Sequence, residues 1–408
     1  MAMRLLKARV EGVKLFRSGV FEIGFYASDR VINSGGAGGL AGVHHIGSRG
    51  SIYSQNVTAV AGVNASGKTT ALQLVRFVLS LLSGAYIARG QAGEMAPIPS
   101  KLERNFSTEI TFALGGKILL LRTEMTQRSE TTVSDQGRDT GDSFFVITDE
   151  ELWEYQGIPS KGVLASSADF RNGARLIARR NGDEEDGPVL NADQRAYLRD
   201  DMSIVSAYLD NNAVVAEVAR KTLQRRGIPG AILHVFDSSI EYLRWDDDAG
   251  VYHLKFAGEE ERVVGERAIT SLVSSGTIVG SELVQRALVA LQEGSYLIVD
   301  EIEQSLNKEL VAVVIGLFVS ASTNPRGAQL VFSTHYLEVL DTVRRKDNIY
   351  LTIRGGDHHT DLVKYSDKVR RIENKKSEVL FSNIIGGTAP KYADITALKS
   401  YVAGELHV

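Results

Sequence analysis

Nine consecutive residues, Gly62-Val63-Asn64-Ala65-Ser66-Gly67-Lys68-Thr69-Thr70, combine the residue types and the spacing that hold a polyphosphate. Gly62 and Gly67 leave room for backbone N–H groups to curl around phosphate oxygens, with Asn64, Ala65 and Ser66 turning between them. Lys68 is long enough to reach a β- or γ-phosphate. The Thr69 hydroxyl, with Thr70 beside it, is placed to ligate Mg²⁺. Such a loop needs a strand before it and a helix after it. Val57 to Ala61 is β-branched and apolar, and Leu72, Leu74, Val75, Phe77 and Val78 recur at helical spacing. The expected ligand is a nucleotide, with Mg²⁺.

Three further stretches carry matching chemistry. Tyr296-Leu297-Ile298-Val299-Asp300-Glu301 is an apolar strand ending in two carboxylates. Ligands of open α/β sheets lie at the carboxyl ends of the strands. There Asp300 would hold Mg²⁺, directly or through water, and Glu301 would polarise the attacking water as general base. Leu330-Val331-Phe332-Ser333-Thr334-His335 is a second apolar strand, ending in an imidazole that can contact the γ-phosphate or the water. Val273-Ser274-Ser275-Gly276-Thr277 opens a helix over Val279 to Leu291, and Ser274, Ser275 and Gly276 present bare N–H groups, a second anion cradle. Ser274 alone also suits a plain helix N-cap. One chain cannot readily wrap both cradles around one nucleotide, so the second is expected to act in trans, on another subunit. Lys68, Glu301 and His335 are the candidate catalytic residues.

The elements that must position these groups follow from the pattern around them. Arg4 to Val10 and Val20 to Tyr26 read as antiparallel strands turning at Arg17-Ser18-Gly19, and Ser107 to Ala113 with Lys117 to Arg122 as a hairpin about Gly115-Gly116. From Ser271 onward helix and strand alternate. Helices are expected over Asn307 to Phe318 and Leu337 to Arg344, and strands over Gln329 to Phe332 and Ile349 to Ile353. Residues 124–227 differ: Ser129 to Asp142 is polar, Ala192 to Asp201 and Val214 to Arg225 look helical, and the whole is expected to be a mainly helical insertion. Val235 to Trp245 and Val251 to Phe256 read as another hairpin, with Asp246-Asp247-Asp248 a solvated turn rather than a calcium loop. His44-His45 lies in the Gly-rich stretch Asn33 to Gly50, where nothing nearby completes a metal-ligand set.

Composition narrows the classes. The 408 residues are 43% hydrophobic, contain no cysteine and carry a formal net charge of -4. Disulfides, thiolate zinc sites and thiol nucleophiles are excluded. The charge gives no general attraction to nucleic acid, so DNA contact would need local patches such as Arg179-Arg180, Arg225-Arg226, Arg344-Arg345-Lys346 or Lys364 to Lys376. The first residues lack the apolar run of a signal peptide, and Leu310 to Ala321 is too short to span a bilayer. A cytoplasmic protein without membrane attachment is expected.

In their order, the phosphate loop, Ser274-Ser275-Gly276-Thr277, Asp300-Glu301, Ser305-Leu306 and His335 resemble the ABC-type ATPase heads shared by SMC proteins, recombination-mediator ATPases and the OLD group. Asp300-Glu301-Ile302-Glu303-Gln304-Ser305-Leu306, and Gly327 to His335 followed by Leu340-Asp341, are similar to the AbiL-like abortive-infection branch of that group, near the AriA-type ATPase subunits of PARIS anti-phage systems. The resemblance implies an α/β fold: an ABC-type P-loop ATPase head, a mixed sheet with flanking helices, made of residues 1–123 and 228–360. The insertion would sit on it, and a basic tail, 361–408, would pack against it. It further implies self-association through ATP-sandwiching heads. Asn64 would steady the loop, Ser274 and Gly276 would touch the γ-phosphate of a neighbour, Ser305 would lie in the D-loop, and His335 would act as the switch. Two departures stand out: Asn307-Lys308 replaces the branch's His-Pro, and no Q-loop glutamine is evident, Gln91 and Gln127 being poor candidates. Related proteins continue into a Toprim nuclease, whereas only about seventy residues follow His335 here. Any effector, such as a Toprim-type nuclease, is therefore expected on a separate polypeptide. The implied function is an ATP-hydrolysing sensor or scaffold that controls such an effector in anti-phage defence. A DNA-clamping repair or recombination ATPase is the alternative; a transporter nucleotide-binding domain or a small-molecule kinase explains fewer of the motifs.

Overall fold

The computed structural model describes residues 3–31, 42–47, 50–84, 99–133, 139–182, 188, 190–208, 216–218, 227–304, 306–369, 375–382, 385 and 392–406. In chain order the first elements are β1 (Arg4–Val13), β2 (Val20–Gly24), β3 (Val43–His45), β4 (Tyr53–Gln55), β5 (Val57–Ala61) and α1 (Lys68–Leu82). Three long strands follow, β6 (Leu102–Leu114), β7 (Lys117–Val133) and β8 (Asp139–Tyr155), then α2 (Lys161–Ala165), α3 (Ser167–Asn172), β9 (Ala174–Arg179), α4 (Ala192–Tyr197), α5 (Val205–Tyr208) and β10 (Ala216–Val218). Next come α6 (Gly230–Phe236), β11 (Ile240–Asp246), β12 (Val251–Phe256), β13 (Arg262–Val264), α7 (Glu266–Leu272) and α8 (Ser275–Glu293). The chain continues through β14 (Tyr296–Val299), α9 (Lys308–Val319), β15 (Gln329–Thr334), a 3-10 turn (Leu337–Thr342), β16 (Ile349–Arg354), β17 (Thr360–Lys364), α10 (Tyr365–Lys368), α11 (Lys376–Phe381) and α12 (Tyr392–Leu406).

Two six-stranded sheets face each other across α1. The antiparallel one has the order β2-β1-β6-β7-β8-β9; the other has the order β10-β14-β15-β5-β16-β17 and is parallel except for the β16–β17 pair. Strands buried on both faces must be apolar at every position, and β5, β14 and β15 are buried throughout. Their alternation divides the interior. Val60, Ile298, Val331 and Tyr350 join α1 and the antiparallel sheet in one core. Val57, Ala59, Leu297, Leu330 and Phe332 join α8, α9 and the 3-10 turn in another. A third, smaller core (Leu233, Ile240, Leu243, Tyr252, Leu254, Ile269, Ile278) holds β11-β12-β13, α6, α7 and the start of α8 together as a lobe. The lobe meets α8 closely: a Cβ on Gly280 would lie 2.2 Å from the Phe236 ring, so only glycine fits there.

The mixed α/β architecture is the expected one, with three differences of detail. Residues 124–227, expected to be mainly helical, open with strand: β7 and β8 pair up to Val133↔Asp139, and β9 extends the same sheet. Residues 129–133 and 139–142 of the polar stretch pair in the far part of this ribbon, and a polar run lacks the apolar alternation by which a strand is read from sequence. The helices that do follow, α2 to α5, are short, and the stretch Val214 to Arg225 lies mostly outside the described residues, with β10 inside it. Second, Val235 and Phe236 belong to α6, and the strand begins only at Ile240 after the turn at Asp237. Third, the expected tail begins inside β17, part of the parallel-type sheet. Its α11 packs on the 3-10 turn, where Ser377 donates N–H and O–H to the Asp341 carboxylate (3.1 and 2.6 Å). In α12, by contrast, Leu398, Tyr401 and Val402 are exposed.

The ribbon is tied down by Glu150, whose fully buried carboxylate is gripped by Arg180 (2.8 Å), Ser203 Oγ (2.7 Å) and the Ile204 N–H (2.8 Å). Burial pushes the Glu150 carboxyl above its ordinary range, and Arg180 opposes that push. Removing one partner of a buried pair strands the other, at a cost of about 3–5 kcal/mol. Glu150→Ala should therefore lower unfolding stability by an amount of that order, read as a lowered urea midpoint. An unchanged midpoint would show that the pair adds nothing.

Candidate active site

The phosphate loop leaves β5 between β15 and β16 and is braced from behind. A Cβ on Gly62 would meet Thr352 Oγ1 at 2.4 Å and Ser66 Oγ at 2.6 Å, and Gly67 turns with φ +101°. Ser66 Oγ shares a hydrogen bond with Thr352 Oγ1 (2.6 Å), Thr360 Oγ1 donates to the Ser66 carbonyl (2.9 Å), and Arg354 Nη1 donates to the Ala65 carbonyl (2.8 Å). Asn64 and Ala65 form the exposed crest. No side chain caps α1 at Gly67, so its first-turn N–H groups stay available to a ligand. The buried Lys68 ammonium donates to the carbonyls of Gly62 (3.0 Å) and Val63 (3.1 Å). Burial lowers its pKa, while Glu301, Asp300 and Glu303 pull the other way. Thr70 points inward and accepts from Lys101 Nζ (3.0 Å), which also donates to Gln73 Oε1 (2.6 Å).

Parallel pairing brings the other groups to the same edge. Val299 is level with Phe332, and Thr334 with Ala61. Asp300 then accepts a hydrogen bond from Thr69 Oγ1 (2.7 Å) and another from Ser333 Oγ (2.5 Å). Ser333 Oγ in turn accepts the Glu301 N–H (2.8 Å), and its carbonyl accepts the Ile302 N–H (3.0 Å). Glu301 adopts φ +49°, a conformation that costs a non-glycine residue roughly 1–2 kcal/mol. His335 ends β15, its ring against Tyr336 (4.4 Å) and its Nδ1 2.7 Å from Glu303 Oε1.

The Thr69–Asp300 pair suits Mg²⁺. Two neighbouring oxygens on an octahedral ion at 2.0–2.1 Å stand about 3 Å apart, so the observed 2.7 Å needs only a small opening. Among the described residues no cluster of three or more His, Asp or Glu could hold a metal unaided, which leaves phosphate oxygens and water to complete such a shell. His44 and His45 lie in β3, and His45 is bonded to the carbonyls of Gly47 and Gly50 (2.8 and 2.9 Å).

Ser274 caps α8, accepting the Thr277 N–H (3.0 Å), and Ser274 and Ser275 are exposed. The cap is flanked by Val273 and Ile278, both buried in the core of the small lobe. It belongs to the small lobe, not to the loop around Lys68. The structure thus gathers Lys68, Thr69, Asp300, Glu301 and His335 at one edge and leaves Ser274, Ser275 and Gly276 apart from them. Ser305 and Gln91 lie outside the described residues, and Gln127 is engaged by the carbonyls of Pro99 and Leu102 (2.6 and 3.3 Å).

Residue types alone did not reveal Ser333, Lys101, Thr352, Thr360 and Arg354. Only Ser333, two positions before His335 on a recognised strand, had a signal in the sequence. The basic patches considered for DNA are largely engaged within the chain: Arg179 with Glu151, Arg180 with Glu150, Arg345 with Asp347 and Lys364 with Ser28 Oγ. Arg225 and Arg226 lie outside the described residues. No described helix is long and apolar enough to cross a membrane.

Two substitutions test this geometry. Lys68→Ala removes charge-assisted bonds worth about 1.5–3 kcal/mol each and should weaken ATP binding at least about tenfold, as read by calorimetric titration. Ser333→Ala unlinks Asp300 from Glu301 and should lower kcat by about tenfold, an effect worth roughly 1.4 kcal/mol, beside a loss of about 1–3 kcal/mol in unfolding stability from the bonds it removes.

No curated protein matches the sequence. Among solved structures, the SMC head domain from Thermotoga maritima is similar at 14% identity and a TM-score of 0.38, covering 88% of this chain and 98% of that one. The family model described as "AAA domain, putative AbiEii toxin, Type IV TA system" matches residues 57–341, most of the chain, and the chain belongs to that family of P-loop ATPases.

Proposed function

We propose that the chain is an ABC-type ATP hydrolase whose complete site forms between two copies arranged head to tail, and that the assembled state controls a separate effector protein in prokaryotic anti-phage defence. The observation that carries the first half is the division of the site. Thr69 and Asp300 are already joined at 2.7 Å beside Glu301 and His335, while the Ser274 cap stands exposed on its own lobe. The family's description by a toxin of a type IV TA system, together with the sequence resemblance to abortive-infection ATPases, supports the second half.

In this reading Lys68 and the first-turn amides of α1 would bind the β- and γ-phosphates, and Thr69 and Asp300 would hold Mg²⁺, which would supply charge neutralisation at the phosphates. Glu301, lifted by its positive φ, takes the proton of the attacking water, and His335 responds to the γ-phosphate end of the site. Ser274 and Gly276 of the second copy close the far side with α8's N-terminal amides. A cytoplasmic setting goes with this function. The DNA-clamp alternative gains no support from the described basic residues, most of which are paired internally.

Glu301→Gln removes the base and spares the metal ligands. Its turnover should fall at least about 10²-fold, while ATP and Mg²⁺ should drive it into a stable dimer or larger assembly in light scattering. Turnover comparable to wild type would refute the base assignment. Co-expression with neighbouring genes, followed by affinity purification with and without ATP, tests the effector: the expected result is ATP-dependent retention of a second protein, and a chain that purifies alone in both states would sink this half.

A further inference from the structure

We propose that Glu303 is a positioning residue for His335: it fixes the proton on Nδ1, so that Nε2 is the ring nitrogen presented to the attacking water. This rests on the reading of His335 given above and adds the residue that sets its chemistry.

The carboxylate of Glu303 lies beneath the imidazole, with its side chain only 2% exposed. One oxygen, Oε1, accepts the backbone N–H of His335 (2.7 Å) and stands 2.7 Å from Nδ1 of the same residue. Nδ1 makes no hydrogen bond in this pose; a rotation of the ring that brings its N–H into line would complete one, as happens when catalytic contacts tighten around a ligand. A carboxylate has acceptors and no hydrogen to give, so a ring nitrogen that turns to bond it must carry the proton. The other oxygen, Oε2, is buried without a hydrogen-bond partner.

A structural role alone explains this poorly. Capping the end of β15 through one N–H needs only a neutral acceptor, whereas a buried carboxylate with an unpartnered oxygen is costly to desolvate. The arrangement does explain a histidine that must face outward with one nitrogen. With Nδ1–H held below, neutral Nε2 is an acceptor, able to orient a water hydrogen. In this tautomer its link to the γ-phosphate end of the site runs through that water. Should the ring gain a proton, the carboxylate beneath balances its charge, the logic of carboxylate–histidine pairs in hydrolases. Tyr336, packed edge-on at 4.4 Å, limits rotation away from this pose.

The test is a double-mutant cycle on steady-state ATP turnover, with a spectroscopic arm. His335→Ala should lower kcat about 10²-fold. Glu303→Gln should lower it about 10- to 100-fold with KM for ATP within about twofold, and should change kcat less than about twofold when His335 is already alanine. Additive losses, with His335→Ala impaired, overturn the positioning role and leave the role of His335 standing. Full turnover in His335→Ala overturns both. Nitrogen-15 histidine spectra of the wild-type protein, with His335 identified by its loss in His335→Ala, read the tautomer directly and need no folded Glu303 variant. A proton on Nδ1 is the expected result, and an Nε2–H tautomer overturns the proposal.

Discussion

Everything at the active edge depends on the register in which three buried strands run parallel. Their backbone hydrogen bonds place Val299 against Phe332 and Thr334 against Ala61, so the loop after each strand emerges at one height. The lock is the interior on both faces: alternate residues of β5, β14 and β15 are committed to different cores. A slip of one residue would send each set to the wrong side. The chemistry of Asp300 and His335 is therefore a by-product of apolar packing several residues away.

Onto that frame the molecule adds a small number of hydroxyl couplings. The Ser333 hydroxyl reads the position of Asp300 through its proton and that of Glu301 through its lone pair. Thr352 and Thr360 do the same for the back of the phosphate loop. Such groups are short and β-carbon-bound, so they transmit backbone position with little rotamer freedom. The unfavourable φ of Glu301 persists because the turn after β14 is bonded to the end of β15 at consecutive residues.

Much of this was legible in the sequence, and the reason differs by element. The limits of β5 and β14 were readable because a strand buried on both faces is continuously apolar and bounded by glycine or carboxylate. The phosphate loop and the Asp300-Glu301 pair were readable because their chemistry demands particular residue types at fixed spacing. The far part of the β7–β8 ribbon was not, since its sequence is a polar run without the apolar alternation that identifies strands. Thr352, Thr360 and Lys101 were not either: threonine and lysine are common, and only the fold brings them across about 30 to 290 positions to the loop they support. The role of Ser274 as a cap was legible, whereas its placement on a lobe with a core of its own emerges from packing among α6, β11, β12 and α7.

Lys68 offers a last consequence. Its ammonium is lodged on two carbonyls of its own loop, bonds that a phosphate would have to replace. A lone inorganic anion would have to draw the amine off those oxygens and gains little beyond the amides at the start of α1. A polyphosphate offers several oxygens along the whole curve of the loop at once and can compensate the loss. The two carbonyl bonds of Lys68 thus set a threshold that a ligand with many phosphate oxygens would cross more readily than one with few.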